Sequence, residues 1–140
     1  MAATGGCLCG AVAYEIDQPI SDVIACHCTD CQKASGAGLS HNAVIQTTNL
    51  AFTKGEPRTY AKVVDSGRTL TRYFCGDCGT QLFSQRSNAP EMMVVKAGSL
   101  DDRSALRQVM EIWTSSANPW VPRDGNVPQH EGNRPMPKAD

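Results

Sequence analysis

Seven cysteines in a chain of 140 residues fall into three tight groups: Cys7 and Cys9, then Cys26, Cys28 and Cys31, then Cys75 and Cys78. No other feature constrains the fold as much. Neighbours this close in sequence make poor disulfide partners, because a bridge needs particular Cα separations and Cβ directions. The count is odd, and the first residues lack both the basic start and the apolar stretch of a secretory signal. The expected address is therefore cytoplasmic, where thiols stay reduced. Thiolate is a soft ligand and the preferred partner of zinc, so metal is the better reading of these groups.

The stretch Ala25–Ser35 packs Cys26, Cys28 and Cys31 into a run of Cys-x-Cys-x-x-Cys. Such a run can wrap three sulfurs around one ion. A site with four protein ligands is usually structural, while three ligands leave a position open for chemistry. Cys75-Gly76-Asp77-Cys78-Gly79 has the form of a zinc knuckle, a tight turn that aims both sulfurs at one ion. It needs two more ligands, which Cys7 and Cys9 can supply from across a sheet. Joining the start of the chain to a distant hairpin closes a long loop, which a structural metal does well. Spacing alone also permits other pairings, such as Cys7 and Cys9 with Cys26 and Cys28.

The three remaining sulfurs have two readings. In one, His27 or His41 fills the fourth position and closes the site. In the other that position exchanges. His27 sits between two ligands, so its ring is expected to point away from the ion, either satisfied by another partner or solvated. An open three-thiolate centre acidifies water less than a three-histidine one. It instead suits an incoming thiol, which on binding loses its proton and becomes a nucleophile near neutral pH. The chemistry expected is addition of a thiol to an electrophile such as an aldehyde, or cleavage of a C–S bond.

Most of the chain alternates as strands do. Val12, Tyr14 and Ile16 share one face of Ala11–Ile16. Val23–Cys26, Ala43–Gln46, Leu50–Thr53, Thr59–Val64, Arg68–Phe74, Gln81–Ser84, Met92–Ala97 and Val109–Trp113 read as further strands. Thr29–Ala34 reads as a helical turn ended by Gly36, and Leu100–Leu106 as another turn. Asp65-Ser66-Gly67 is a hairpin turn candidate. In Arg68–Phe74, Leu70 and Arg72 fall on one side, Thr69, Thr71 and Tyr73 on the other. Prolines gather in Asn118–Asp140, which predicts an irregular arm ordered near Pro119-Trp120 and loose at its end. One domain over residues 1–140 is expected, with a core of about 3–120 and a Pro-rich arm over 121–140. The fold class is mainly β.

The net charge of −1 and a pI near 6.3 speak against nucleic-acid binding, which normally shows a basic surplus. No apolar run is long enough for a membrane span. Trp113 and Met92-Met93 read as core, and Trp120 as a candidate lid.

Gly6–Val12, Cys26–Ala37 and Phe74–Thr80 together resemble the CENP-V/GFA domain family, named after the glutathione-dependent formaldehyde-activating enzyme. The resemblance runs through nearly the whole chain, and every motif cysteine is present in order. It implies a β-tent fold of small antiparallel sheets meeting at a structural zinc. It implies that Cys7, Cys9, Cys75 and Cys78 hold that zinc, and that Cys26, Cys28 and Cys31 hold a second, catalytic one. The activity implied is carbon–sulfur lyase chemistry: condensation of glutathione, or a related thiol, with formaldehyde or another small aldehyde, and its reversal. The alternative is a non-catalytic zinc module that keeps only the shape. A homodimer is compatible with either. The named enzyme is longer than this chain, and its glutathione contacts do not map onto particular residues here. Lys33, Arg58, Arg68, Arg72 and Arg86 are the cations available for glutathione's carboxylates.

Overall fold

The computed structural model describes residues 3–64 and 67–134. Ten strands form two sheets. β1 (Ala3–Gly6), β2 (Ala13–Ile16) and β5 (Leu50–Lys54) make an antiparallel sheet with β2 central. The larger sheet contains β3 (Asp22–Cys26), β4 (Ser40–Gln46), β6 (Arg58–Val63), β7 (Thr69–Phe74), β8 (Gln81–Arg86), β9 (Met92–Lys96) and β10 (Arg107–Ile112). Its order is β10-β3-β4-β9-β8-β7-β6. Neighbours are antiparallel except β10, which runs parallel to β3. The only α-helix among the described residues is α1 (Thr29–Ser35), closed by Gly36 at φ 68. This is the mainly β arrangement that the resemblance implied. No described helix is long and apolar enough to cross a membrane.

β4 and β9 show how two faces are made from one alternation. Ala43, Ile45, Met93 and Val95 point into the core. There they meet Val12, Tyr14 and Ile16 of β2, with Leu82, Phe83 and Leu100. Asn42, Val44, Val94 and Lys96, the residues between, line a cavity on the opposite face. A strand's side chains alternate, so one period-two pattern serves both the core and the cavity. The Tyr14 and Phe83 rings meet edge to face at 4.7 Å, and the Tyr14 hydroxyl bonds Ser99 Oγ at 2.7 Å.

Several expectations are amended. Gly5-Gly6-Cys7-Leu8-Cys9-Gly10 suits a tight metal loop in the sequence, but Gly5 and Gly6 belong to strand β1. A Cβ on Gly5 would lie 2.3 Å from Tyr14 Oη, so glycine here makes room for the tyrosine that pairs opposite it. Residues 101–106 form no helix, and a short 3-10 turn, Ala97–Ser99, precedes them. Met93 is core, whereas Met92 is only half-buried. Of the hairpin turn candidate, Asp65 and Ser66 lie outside the described residues, and Gly67 has φ 86. The C-terminal arm is irregular, as expected, but it is tied down well past Trp120. The Glu111 amide donates to the Pro128 carbonyl, the His130 amide donates to the Glu111 carbonyl, and the amides of Trp113 and Thr114 donate to the carbonyls of Gly132 and His130; the last residues, 135–140, lie outside the described residues.

Candidate metal centres

The two ends of the sheets converge on the first sulfur group. Cys7 and Cys9 follow β1; Cys75 and Cys78 follow β7. The four Sγ atoms all lie within 4.8 Å of one another. Cys9 Sγ is 3.7 Å from both Cys7 Sγ and Cys75 Sγ, although Cys9 and Cys75 are 66 residues apart. Each pair sits in a tight turn with a left-handed glycine, Gly10 at φ 81 and Gly79 at φ 78, a conformation that favours glycine. Those turns free N–H groups to face sulfur. Val12 N–H donates to Cys7 Sγ at 3.2 Å. The Thr80 hydroxyl, 3.2 Å from Cys78 Sγ, and backbone N–H groups hold that thiol down at about 5. Donors aimed at sulfur favour thiolate, the form that binds metal. Arg58 lies over the turn, where a Cβ on Gly76 would meet its Cδ at 2.4 Å.

The second group is built differently. Cys26 ends β3 on the large sheet, and Cys28 caps α1, its Sγ accepting from Cys31 N–H at 3.2 Å. Cys31 is the buried residue of the helix. Cys26, Cys28 and Cys31 place their sulfurs within 4.8 Å of one another, and Cys31 Sγ is 3.4 Å from Cys26 Sγ. Hydrogen bonds from Cys26 and Cys28 lower the Cys31 thiol, with Ser40 and the Lys96 charge adding to the pull. The Cys26 thiol is pushed up by its two sulfur neighbours and by burial. Two soft donor sets of this composition fit zinc. Among the described residues, no histidine or carboxylate joins either set within that distance.

His27 is fully buried and turns to Glu111, with Nε2 at 2.6 Å from Oε1. The Glu111 carboxylate also accepts from Asp124 N–H at 2.8 Å and Gln129 Nε2 at 3.0 Å. Burial alone would raise the Glu111 carboxyl, but the bonds from Gln129, His27 and Asp124 hold it below the usual range. His41 is exposed and lines a smaller cavity, of about 420 Å³. Gln32 braces the motif by donating to the carbonyls of His27 and Ser116, and it accepts from Asn118 Nδ2.

All three sulfurs of the second group open onto a cavity of about 520 Å³. Arg68, Arg72 and Arg86, noted in the sequence as candidate cations, line it. Lys33 and Arg58 do not. Trp113, expected in the core, is instead a cavity wall and is 37 % exposed at φ 57. Trp120, the candidate lid, is 70 % exposed and lines neither cavity, resting against Gly38. Lys96, Asn42, Glu111 and Arg134 went unnoticed. Lys96 and Glu111 did carry a signal, a charge interrupting an otherwise apolar strand.

A profile of the family described as glutathione-dependent formaldehyde-activating enzyme matches residues 2–116. A protein of Aspergillus flavus, named as a candidate enzyme of that kind, is 31% identical over 81 residues. The match covers 56% of this chain and 41% of that one. A Podospora anserina protein with the same name is 32% identical over 79 residues, covering 55% of this chain and 36% of the other. The match thus spans about two fifths of the length of these relatives. The crystal structure of a Rhodobacter sphaeroides protein aligns with a TM-score of 0.57 at 24% identity, covering 90% of this chain and 98% of that one. That likeness concerns the fold.

Proposed function

The chain belongs to the glutathione-dependent formaldehyde-activating enzyme family, and from that premise we propose that it joins a small thiol to a small aldehyde, and reverses the reaction, at Cys26, Cys28 and Cys31. The single observation that carries this reading is three clustered sulfurs opening directly onto a cavity of about 520 Å³. A zinc ion held by Cys26, Cys28 and Cys31 would supply a Lewis-acidic position that favours the thiolate form of an incoming thiol. We read the group of Cys7, Cys9, Cys75 and Cys78 as the holder of a structural zinc. Residues 1–140 are read as one domain, with a core of about 3–120 and the arm over 121–140, working in the cytoplasm.

The reaction needs no oxidant. The thiol sulfur forms a bond to the carbonyl carbon, the C=O π pair moves to oxygen, and the thiol's proton ends on that oxygen. Lys96 places a positive charge beside the sulfurs, steadied by Asn42 Oδ1 at 3.0 Å from its Nζ. Charge of that sign stabilises a thiolate arriving there and the oxyanion formed from the aldehyde. Trp113 and Ser116 line the same cavity. Thiol and aldehyde are the partners.

The test is NMR exchange between free glutathione, formaldehyde and their S-hydroxymethyl adduct, with zinc-loaded protein. Faster exchange than in buffer, lost in Cys31→Ser, is the expected result. No acceleration would remove the reading, and two inert zinc ions alongside it would mark a binding module instead.

A further inference from the structure

The floor of the larger cavity carries more positive charge than the sulfur centre calls for. Arg68, Arg72 and Arg86 come from β7, β8 and the turn before them, and Arg134 reaches in from the arm. Register sets Arg86 opposite Leu70 and Arg72 opposite Ser84, so the guanidiniums occupy neighbouring places on two paired strands. Burial, then the charges of Arg68 and Arg134, lower Arg86, as crowding of like charges should. Among the described residues, Asp30 is the one carboxylate lining this cavity. Lys62 grips both its oxygens, at 2.8 and 2.9 Å. No described carboxylate pairs with any of the four arginines.

Arg68 Nε and Arg72 Nη2 are buried and have no hydrogen-bond partner. A solvated surface arginine would satisfy these nitrogens with water, and buried donors are almost always paired. The fold therefore keeps two orphaned donors and a cluster of repelling cations where acceptors belong.

We propose that this arginine floor is an oxyanion subsite, and that the reactant it selects carries more than one negative charge, as phosphate or paired carboxylates, and no ammonium group. Guanidinium is the planar fork that matches those groups bidentately. An ammonium would need a free acceptor carboxylate, and Asp30 is already held. Glutathione, with two carboxylates and one ammonium, answers this floor only in part. β8 and β7 stand three and four strands from β3, about 14–19 Å between backbones. The reactant thus spans from the arginines to the sulfurs, although Arg72 also lines the smaller cavity beside Cys31 and Lys96. Only the placement of that reactive end rests on the thiol chemistry proposed above; the anion subsite is independent of it.

Calorimetric titration of the zinc-loaded full chain with inorganic phosphate, succinate, acetate and glutathione tests the subsite. The dianions should bind at least about tenfold more tightly than acetate or glutathione. Arg68→Gln and Arg72→Gln should each weaken phosphate at least about tenfold while raising Tm, because one of the crowded like charges, with a buried unpartnered nitrogen, is removed. Arg107→Gln, at an exposed pair with Asp22, should change nothing. Dianions no tighter than acetate, or unchanged in both variants, would overturn the proposal. Turnover with 4′-phosphopantetheine above that with glutathione would place the anion on the thiol, and preference for glyceraldehyde 3-phosphate over formaldehyde would place it on the carbonyl partner. Glutathione turnover without dianion binding removes the subsite and keeps the thiol chemistry; dianion binding without any turnover does the reverse.

Discussion

The two sulfur groups use one element in opposite ways. Cys7, Cys9, Cys75 and Cys78 sit on two glycine turns at the junction of the sheets, and they link segments far apart in sequence. Cys26, Cys28 and Cys31 lie within a few residues of one another, on a strand end and a single short helix, and they face a cavity. The first group closes a loop that the chain cannot close locally. The second closes almost none, so its removal releases little chain entropy. Under the proposed function, the long-range group takes the structural role and the local group beside open space takes the chemical one.

The sharpest break of this comparison is the pair Cys75→Ala and Cys31→Ser. A structural zinc site is worth on the order of 10 kcal/mol, comparable with the whole stability of a domain. Cys75→Ala is expected to be unfolded at 37 °C by near-ultraviolet circular dichroism. Cys31→Ser is expected to keep its spectrum and lose only a few degrees of Tm, about 1–2 kcal/mol. Its metal content should fall from two zinc ions per chain to one, and adduct exchange should drop at least about a hundredfold. Equal damage from both variants would erase the distinction.

A finer test uses release of metal. A chromogenic chelator should take one ion in a fast phase and the second only as slowly as the protein unfolds. Added thiol should retard the fast phase alone, because it occupies the open position. A single phase would mean that the two groups are equally closed.

The smallest expected effect concerns the arm. Glu111→Gln weakens the bonds to His27, Asp124 and Gln129 at a cost of about 1–3 kcal/mol. Amide exchange at His130 and Trp113 should quicken by about tenfold or more, with the Cys75 turn unaffected. The Glu111 carboxyl is held low in the folded state. Its contribution is therefore complete above the ordinary glutamate value, about 4.3, and fades as the pH falls through the depressed one. Arm protection, taken relative to the intrinsic exchange rate at each pH, should fall in the native chain as the pH is lowered and stay flat in Glu111→Gln.

The sequence makes the cysteines and the alternating strands legible because ligand spacing and period-two patterning are local properties. Val12, Tyr14 and Ile16 share a buried face for that reason. What escapes is whatever depends on a distant partner. Gly5 reads as loop until Tyr14 is seen against it. Trp113 reads as core because a large apolar side chain is usually buried, and its left-handed backbone shows only in three dimensions. Lys96 and Glu111 look like defects in apolar strands, and only the sheet order reveals that one faces the cavity and the other meets His27. The parallel placement of β10 beside β3 carries no local signal at all.

The alternation along β4 and β9 has a practical corollary. Ligand preference and thermal resilience are written on interleaved positions of the same two ribbons, so they can be edited separately. A library confined to Asn42, Val44 and Val94 would explore new reactants over an untouched hydrophobic interior. One confined to Ala43, Ile45, Met93 and Val95 would tune robustness while leaving the reaction chamber's furnishing as it is.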